Sequence, residues 1–204
     1  MSDIASRGRR LPAAERRATL VTAASELFAD RGYDHASLDE LAARAGVTKV
    51  IVYRHFASKK DLYLELLAEH RDVLLRTLAE GMAVAGPLGE RVPSVADAWF
   101  AYVEANPFAW SMLFRDVTGD PEIRAFHAGM RDTARNALVG LLAAEPGMQL
   151  ASELREPVAE TLRSAMTGVA LWWLDHPAVP RATLVHTIVQ TVWRGLADAA
   201  GSTP

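Results

Sequence analysis

Apolar residues recur at intervals of three and four along most of the chain, which is the spacing of one face of an α-helix. Leu20, Leu27 and Phe28 show this spacing near the start of the chain, and it returns around Leu62 and Leu74. No segment alternates cleanly between apolar and polar residues, as a half-buried strand would. The pattern therefore predicts an all-α protein.

Proline and glycine residues interrupt this pattern where helices are expected to end or begin. Gly32, Gly46 and Pro107 are examples, and residues 85–89 form a glycine-rich stretch that is expected to be a loop. Pro157 is expected within the first turns of a helix, or at a kink in it. The intervals between these marks predict nine helices, at residues 12–31, 38–45, 49–56, 59–81, 93–105, 107–117, 121–144, 153–175 and 180–199.

The second and third predicted helices are short and are joined by a tight turn. Ser37 and Glu40 have the spacing of a capping box, so a helix is expected to begin at Leu38. Gly46 can take a positive φ at no cost and ends that helix, and Thr48 is placed to cap the next one. Two short helices around a glycine turn form a helix-turn-helix, a motif of DNA-binding proteins that also occurs in ordinary helical bundles.

The third predicted helix carries apolar, aromatic and cationic side chains on the face that it does not need for packing. At about 100° per residue, Val52 and Phe56 share the side that can pack against the preceding helix. The opposite side and its flanks combine apolar, aromatic and cationic residues: Val50, Ile51, Tyr53 and Arg54. A guanidinium can read guanine, a β-branched side chain can contact a thymine methyl, and a phenol can reach a phosphate. Neither a packing helix nor a merely solvated one would combine them on its outer face, so we interpret this helix as a contact surface.

Charge is unevenly distributed, although the whole chain has a net charge of only −3. Residues 1–60 contain eleven Lys and Arg against seven Asp and Glu, or +4, whereas residues 61–204 contain eleven against eighteen, or −7. All three lysines lie at Lys49, Lys59 and Lys60, and residues 1–11 form a basic arm. Clustered positive charge is expected of a module that binds a polyanion, although a solvated face with a disordered arm would look the same.

From about Arg16 to Leu67, the sequence resembles the N-terminal domain of the tetracycline-repressor (TetR/AcrR) family. The landmarks stand in one continuous stretch, AASELFADRGYDHASLDELAARAGVTKVIVYRHFASKKDLYLELL. The resemblance implies a helical homodimer with a helix-turn-helix DNA-binding domain, here residues 1–58, and a ligand-binding and dimerisation domain, here residues 59–204. It also implies a palindromic operator in double-stranded DNA, from which a small hydrophobic effector would release a repressor.

The same resemblance suggests how individual residues would meet DNA. Ser37 and Thr48 match phosphate contacts at the two helix starts. The phosphate-positioning residues of the family correspond to Lys49, Tyr53, His55 and Lys59, and its base-facing positions correspond to Val50, Ile51 and Arg54. The chain departs from the family at Val50 and Ile51, where a small residue and then a polar one are usual. The resemblance therefore does not predict the operator sequence.

The C-terminal part has no comparable motif but is rich in aromatic residues and methionine, and all five tryptophans follow residue 98. Such side chains line apolar pockets between bundle helices, although any one of them alone is better explained as core. The expected lining of a pocket for a hydrophobic or aromatic effector is Trp99, Tyr102, Phe108, Trp110, Phe114, Phe126, His127, Met130, Met166 and Trp172, with Asn106, Arg131 and Asn136 as further candidate polar contacts.

The last two predicted helices each carry a wide apolar stripe. The core of one protomer can use one face of each helix, so stripes of this width also predict a dimer seam. The corresponding helices of the TetR/AcrR family form a four-helix dimer bundle. The seam is expected at Val158, Leu162, Val169, Trp173, Leu184, Val185, Ile188, Val189, Val192 and Trp193. A two-fold dimer would hold its recognition helices about 34–36 Å apart, one turn of B-DNA.

Other classes of function find less support. The sequence has no nucleophile elbow, no phosphate-binding glycine loop and no metal-ligand spacing on one helix, so we expect neither an enzyme nor a cofactor. His176 and His186 could approach each other, which keeps a metal-responsive regulator as an alternative. Another alternative is a dimeric helical ligand-binding or structural protein without sequence-specific DNA binding. The polar start and the lack of a long apolar run predict a cytoplasmic protein without a membrane segment.

Overall fold

All regular secondary structure in the residues that the computed structural model describes, 12–83, 86–115, 118–145 and 150–199, is helical. This confirms the all-α prediction. The helices are α1 (Ala13–His35), α2 (Leu38–Arg44), α3 (Lys49–His55), α4 (Lys59–Met82), α5 (Leu88–Ala105), α6 (Pro107–Phe114), α7 (Pro121–Ala144), α8 (Ser152–Leu174), α9 (Arg181–Ile188), a π-helical turn (Val189–Trp193) and α10 (Arg194–Ala199). The backbone stays helical from α9 through the π-turn into α10, so the described residues form the nine predicted helical rods.

The fifth helix begins five residues earlier than the sequence predicts, and Pro93 lies inside it. The early start has a tertiary cause. The amide of Leu88 donates to the Glu145 carboxylate at 3.3 Å, and Arg91 forms an ion pair with the same carboxylate at 3.2 Å. A carboxylate at a helix N-terminus satisfies the free amides there and interacts favourably with the helix dipole. Glu145 comes from beyond α7, so the local sequence around Pro93 does not reveal it.

Several predicted features lie wholly or partly outside the described residues. These are the basic arm at 1–11, the end of the sixth helix at 116–117 and the proline-glycine pair at 146–147. Part of the glycine-rich stretch at 85–89 is also outside them. Of the rest of that stretch, Gly86 has a φ of +134°, whereas Leu88 and Gly89 already belong to α5.

A first core cluster joins the three N-terminal helices to the first half of α4. Val52 of α3 and the adjacent Phe56 are buried in it beside Leu41 of α2. Its other contacts come from α4, α6 and α7, through Leu62, Tyr63, Leu66, Leu67, Met112, Leu113 and Ile123. Apolar packing therefore continues across residue 58, after which the domain boundary is predicted. The boundary itself stays a prediction.

Four residues predicted at a dimer seam are buried within the single chain. Trp173, Leu184 and Ile188 pack in a second core cluster around Phe100, and Trp193 packs in a third cluster at the far end of the bundle. Leu184 and Ile188 are buried where α5 packs against α9, and the Trp173 ring meets that of Phe100 edge-on, so these side chains already belong to the core of one protomer. The seam at these positions stays a prediction. The other predicted seam residues are half-buried and stay candidates: Val158, Leu162, Val169, Val185, Val189 and Val192.

The π-helical turn explains part of the width of the stripe on the last helix. Leu184 and Ile188 are four residues apart and both are buried, but the next buried residue, Trp193, follows five residues later. A π-turn contains one more residue than an α-turn, so it brings Trp193 and then Leu196 back to the buried side. Regular α-helical spacing would turn them away from it.

Candidate nucleic-acid interface and effector cavity

Local interactions fix the start of α2 and its turn into α3. The Ser37 hydroxyl accepts a hydrogen bond from the Glu40 amide, and the Glu40 carboxylate accepts one from the Ser37 amide, both at 3.2 Å. This is the predicted capping box. Gly46 has a φ of +62°, and the amide of Val47 donates to the Ala42 carbonyl at 2.9 Å. The helix-turn-helix is therefore held in place by residues of its own sequence.

Helix α3 is anchored by Val52 and Phe56 and presents its opposite face outward. Val52 is fully buried, and Phe56 is 3% exposed. Val50 is 62% exposed, Tyr53 is 49% exposed, and Arg54 is exposed beside them. The division into a packing side and an outer side, as predicted from the helical wheel, is confirmed.

Other residues predicted to contact DNA differ in their availability. Ile51 and His55 are half-buried, and Ile51 packs against the first core cluster. Thr48 stands at the N-cap of α3 without a side-chain capping bond, so its exposed hydroxyl is available to a phosphate. Arg54 makes no hydrogen bond or ion pair with any described residue, which leaves its guanidinium available for a base edge.

Lys49 lies on the same surface but already has a partner. Its ammonium is 2.9 Å from the Asp39 carboxylate and 6.0 Å from the centroid of the Tyr53 ring. The hydrogen bond from Lys49 to Asp39 raises the pKa of Lys49, so the side chain is charged at neutral pH. Asp39 thus places a negative charge beside a predicted phosphate contact and offsets part of its attraction for DNA.

Lys59 is committed to the protein backbone. Its ammonium nitrogen lies 2.8 Å from the carbonyl oxygen of Tyr33, 3.0 Å from that of Ala36 and 3.4 Å from that of Asp34. It also lies 4.4 Å from the centroid of the Tyr33 ring. An ammonium has three N–H donors, and these carbonyls can occupy all of them. The phosphate contact that the family resemblance implies would have to displace bonds that close the turn from α1 to α2.

A second candidate site is a small, partly open cavity between α4, α5, α6, α7 and α8. Its apolar walls are formed by Leu74, Leu75, Leu78, Trp99, Phe114 and Met130. Polar side chains also border it: Arg71, Arg131, Arg163, Thr133 and Thr167. Apolar walls with a few polar side chains at their border are typical of sites for small organic ligands.

Four of the predicted effector contacts line this cavity: Trp99, Phe114, Met130 and Arg131. Two others, Tyr102 and Trp110, are buried in the second core cluster, where the Trp110 ring meets that of Trp99 edge-on with centroids 4.7 Å apart. Met166 is half-buried against the same cluster.

The remaining predicted effector contacts lie outside the cavity lining. Phe126 lies under the guanidinium of Arg71 at 5.2 Å, and His127 is buried on α7. Phe108 and Trp172 are 44% and 47% exposed, and the Trp172 ring stacks on His176. The other two polar candidates are also elsewhere: the Asn106 amide donates to the Tyr102 carbonyl, and Asn136 is exposed.

Of the polar residues that border the cavity, the sequence predicted Arg131 but not Arg71, Thr133, Arg163 or Thr167. Arg163 and Thr167 are one helical turn apart and flank the apolar stripe of α8, which is a readable signal. The wall from α4 was missed for a different reason. Leu74 and Leu78 have ordinary core spacing, and only the tertiary structure shows that a cavity lies beside them.

Comparison with protein families gives matches over both parts of the chain. Residues 20–66 match the model for bacterial regulatory proteins of the tetR family, and residues 88–195 match the model for a tetracyclin repressor-like C-terminal domain. The first match contains the helix-turn-helix, and the second contains α5 to α9 with most of the cavity.

Individual proteins are similar over nearly the whole length. The transcriptional activator FasR of Mycolicibacterium smegmatis is 33% identical over 193 residues, which cover 93% of this chain and 87% of that protein. The structure of a TetR-like regulator from Rhodococcus sp. RHA1 superimposes with a TM-score of 0.78 at 23% identity, covering 92% of this chain and 99% of that one. FadR of Bacillus subtilis, solved in complex with stearoyl-CoA, gives a TM-score of 0.69 at 16% identity, covering 86% and 97%.

The fold and the exposed face of α3 define a helix-turn-helix transcriptional regulator that binds DNA. With both family matches and a relative of 33% identity, the chain belongs to the tetR family of bacterial regulatory proteins. In the described part of the chain, no helix is long and apolar enough to cross a membrane. The same residues contain no group of three or more His, Cys, Asp or Glu side chains placed to hold a metal ion.

Proposed function

We propose that this protein binds a palindromic operator as a homodimer and that a small hydrophobic effector in the cavity changes its affinity for that operator. The outer face of α3 carries the proposal. A helix anchored by the fully buried Val52 exposes Val50, Tyr53 and Arg54 together, although two of these three side chains are largely apolar. The major groove of B-DNA admits an α-helix and presents both hydrogen-bonding and methyl groups to it.

The exposed residues divide into two roles. Arg54 has a guanidinium without a protein partner among the described residues and is suited to the two acceptors of a guanine. Val50 is suited to a thymine methyl. Thr48 and Lys49 at the start of α3 are suited to phosphates, which set the position of the helix but not its sequence preference. The exposed Tyr53 is likewise suited to a phosphate. Ser37, Ile51, His55 and Lys59 remain predicted contacts.

The half-buried apolar residues that remain on α8 and on the last helix support a homodimer. Two-fold symmetry would place the same α3 face in two successive major grooves, and it would require an operator with two inverted half-sites.

The cavity is the proposed effector site because its walls are mostly apolar and a few polar side chains border it. The Bacillus subtilis neighbour holds stearoyl-CoA, so a protein of this fold can accommodate a long apolar chain. An effector changes DNA affinity only if it binds one conformation of the regulator better than the other.

Two routes could transmit this preference to the DNA-binding helices. The first is α4, which lines the cavity with Leu74 and packs in the first core cluster with Tyr63. The sequence alone points to this helix, because it joins the two predicted domains. The second route runs through the start of α7, where Glu122 pairs with Lys60 at 2.6 Å. On the same side, the Thr118 hydroxyl donates to the carboxylate of Asp34 at 3.0 Å.

Repression is the expected direction of control, with the effector releasing the operator. Activation is the second candidate, because the Mycolicibacterium smegmatis relative is a transcriptional activator. A reporter gene placed behind the operator distinguishes the two. Its expression falls when a repressor is supplied and rises when an activator is supplied.

The test of the DNA-binding role compares Arg54→Ala with Arg76→Ala in binding to a set of operators that differ at single base pairs. Arg76 is exposed on α4, so its replacement removes the same charge outside α3. Arg54→Ala is expected to relax the preference at one position of each half-site by about 1–3 kcal/mol. Arg76→Ala is expected to leave the preference intact. An Arg54→Ala protein with an unaltered preference at every position would remove this residue from base recognition.

The effector mechanism has a separate geometric test. The distance between Tyr53 and the same residue of the dimer partner is measured by spin labels next to α3, with operator bound and with effector bound. Different distances support the mechanism, and equal distances in the two states contradict it.

A further inference from the structure

The apolar row along α4 contains one histidine. Leu62, Leu66, Leu74 and Leu78 recur at intervals of four, which places them on one face of the helix, and His70 occupies the middle position of the same row. Leu62 and Leu66 are buried in the first core cluster, whereas Leu74 is buried in the second, with Leu78 packed against it. The imidazole therefore stands where α4 passes from one core to the other.

Polar groups of two other helices meet α4 at this position. On α1, the hydroxyl of the buried Ser25 lies 3.5 Å from Nε2 of His70 and donates to the Val21 carbonyl at 3.0 Å. On α5, the phenol of Tyr102 donates to the backbone carbonyl of His70 at 3.0 Å. Helix α1 contributes to the first core cluster, and Tyr102 lies in the second. His70 thus joins helices of both cores through polar contacts.

Burial keeps the imidazole neutral at physiological pH. It lowers the pKa of His70 below the ordinary value of 6.5, because a charged ring would lose part of its hydration between the helices. Glu69, the residue before it on α4, opposes this shift with its negative charge but does not cancel it. The stability that the neutral ring contributes is therefore complete above pH 6.5 and is lost as pH falls from there towards the lowered pKa.

The groups on the packed helices offer a protonated imidazole little compensation. Among the described residues, Glu69 is the one ionised side chain that shifts the pKa of the ring, and Arg17 of α1 pairs with that carboxylate at 3.3 Å. On α5, burial raises the pKa of Tyr102 to about 12, so its phenol stays neutral. Helix α6 has no ionisable side chain, and α7 faces this part of α4 with the stretch that holds His127 and Arg131, neither of which is negative. A proton on the ring is therefore only partly compensated.

We propose that His70 makes operator binding sensitive to acid, because the neutral ring holds α1 against α4 and its protonation loosens this contact. Helix α1 packs against α2, and the first core cluster also contains Val52, which anchors α3. A looser contact at Ser25 therefore disturbs the helices that place α3 on DNA. Only the fraction of molecules with α1 packed binds the operator well, so the affinity falls as the protonated fraction grows. This inference rests on the proposed binding of an operator.

The experiment measures the affinity of the full-length protein for the operator duplex recovered by selection from random DNA. The pH runs from about 8 to about 5.5, the range in which a histidine titrates, at constant ionic strength. Acid also protonates His35 and His55 of the DNA-binding helices, which strengthens the attraction for phosphate. The decisive quantity is therefore the ratio of the wild-type affinity to that of His70→Gln at each pH, since the other histidines are common to both proteins.

This ratio is expected to fall once the pH drops below 6.5, by up to about tenfold per pH unit for each protomer, the limit for one proton. A purely structural role of His70 would lower the affinity of the variant by the same factor at every pH. The matched control is His176→Gln, which replaces an exposed histidine that stacks on Trp172. Its pH profile is expected to match that of the wild type.

A second measurement needs no DNA. Urea denaturation is followed at about pH 7.5 and about pH 5.5, and the urea concentration at the midpoint is expected to fall further with acid for the wild type than for His70→Gln. His70→Asn is a second neutral replacement, to be used in both measurements if His70→Gln does not fold.

The inference is overturned if the wild type and the neutral variant show the same pH dependence of operator affinity, or if acid lowers the two urea midpoints equally. A wild-type protein that selects no operator refutes the proposed function, and acid control of operator binding fails with it. Operator binding whose pH dependence is unchanged by His70→Gln refutes this inference alone, so the two failures are distinguishable.

Discussion

Replacing Lys59 by methionine separates two roles that the same side chain could have. The lysine ammonium bonds to carbonyls of the turn between α1 and α2 and lies over the Tyr33 ring. A hydrogen bond to a charged group contributes about 1.5–3 kcal/mol to stability, and a partly exposed cation over an aromatic ring adds about 0.5–1 kcal/mol. Once the ammonium is gone, the carbonyls can accept hydrogen bonds from water, which limits the loss. We therefore expect Lys59→Met to lower the free energy of unfolding by about 2 kcal/mol.

The assay combines urea denaturation with DNA binding over a range of salt concentration. If Lys59 acts within the fold, Lys59→Met loses stability but keeps the slope of log affinity against log salt. A phosphate contact would instead reduce that slope by about one. Lys60→Met is the control, because its ion pair with Glu122 is largely exposed and is expected to contribute less than about 1 kcal/mol. Unchanged stability with a reduced salt slope for Lys59→Met would refute the structural role.

Three further changes have defined outcomes. Asp39→Asn removes the carboxylate that pairs with Lys49, so the operator should bind more tightly and the slope of log affinity against log salt should become steeper. An affinity and a slope equal to those of the wild type would show that the pair has no part in DNA binding. Gly46→Ala should lower the free energy of unfolding, measured by urea denaturation, by about 1–2 kcal/mol. The φ of +62° strains any residue with a side chain, although there is space for one, and Gly46→Asn should lower the free energy of unfolding less. Burial raises the pKa of Tyr102 to about 12, so the neutral phenol contributes its full stability below pH 10 and this stability is lost as pH rises towards 12. Phenolate absorbance should show one tyrosine that ionises at higher pH than the others and is absent from Tyr102→Phe.

Features set by neighbouring residues could be predicted from the sequence. The capping box at Ser37 and the positive φ of Gly46 each depend on residues within a few positions, and the structure contains both. The helical wheel likewise predicts that Val52 and Val50 face opposite sides of α3. The exposure of Val50 follows from the helical wheel, because Val50 lies nearly opposite the buried Val52 on α3. The candidate DNA interface therefore follows from local sequence, without knowledge of the tertiary contacts.

Features that depend on distant residues could not be predicted. Helix α5 begins early where Glu145 accepts a hydrogen bond from the amide of Leu88, and Trp193 is buried because it ends a π-turn that adds one residue to the helix. The excess of aromatic residues did indicate a cavity. Trp110 and Tyr102 are aromatic like residues of its lining, but they lie in the core. Burial separates the two groups, and burial is a property of the tertiary structure.

The most direct test of the central claim is selection of bound sequences from a random library of duplex DNA, at one fixed salt concentration, with the wild-type protein and Arg54→Ala in parallel. The account predicts an enriched sequence with two inverted half-sites about one helical turn apart, and a loss of preference at one symmetric position in the variant. Recovered DNA without a common sequence, or the same enriched sequence for both proteins, would contradict recognition of an operator by the outer face of α3.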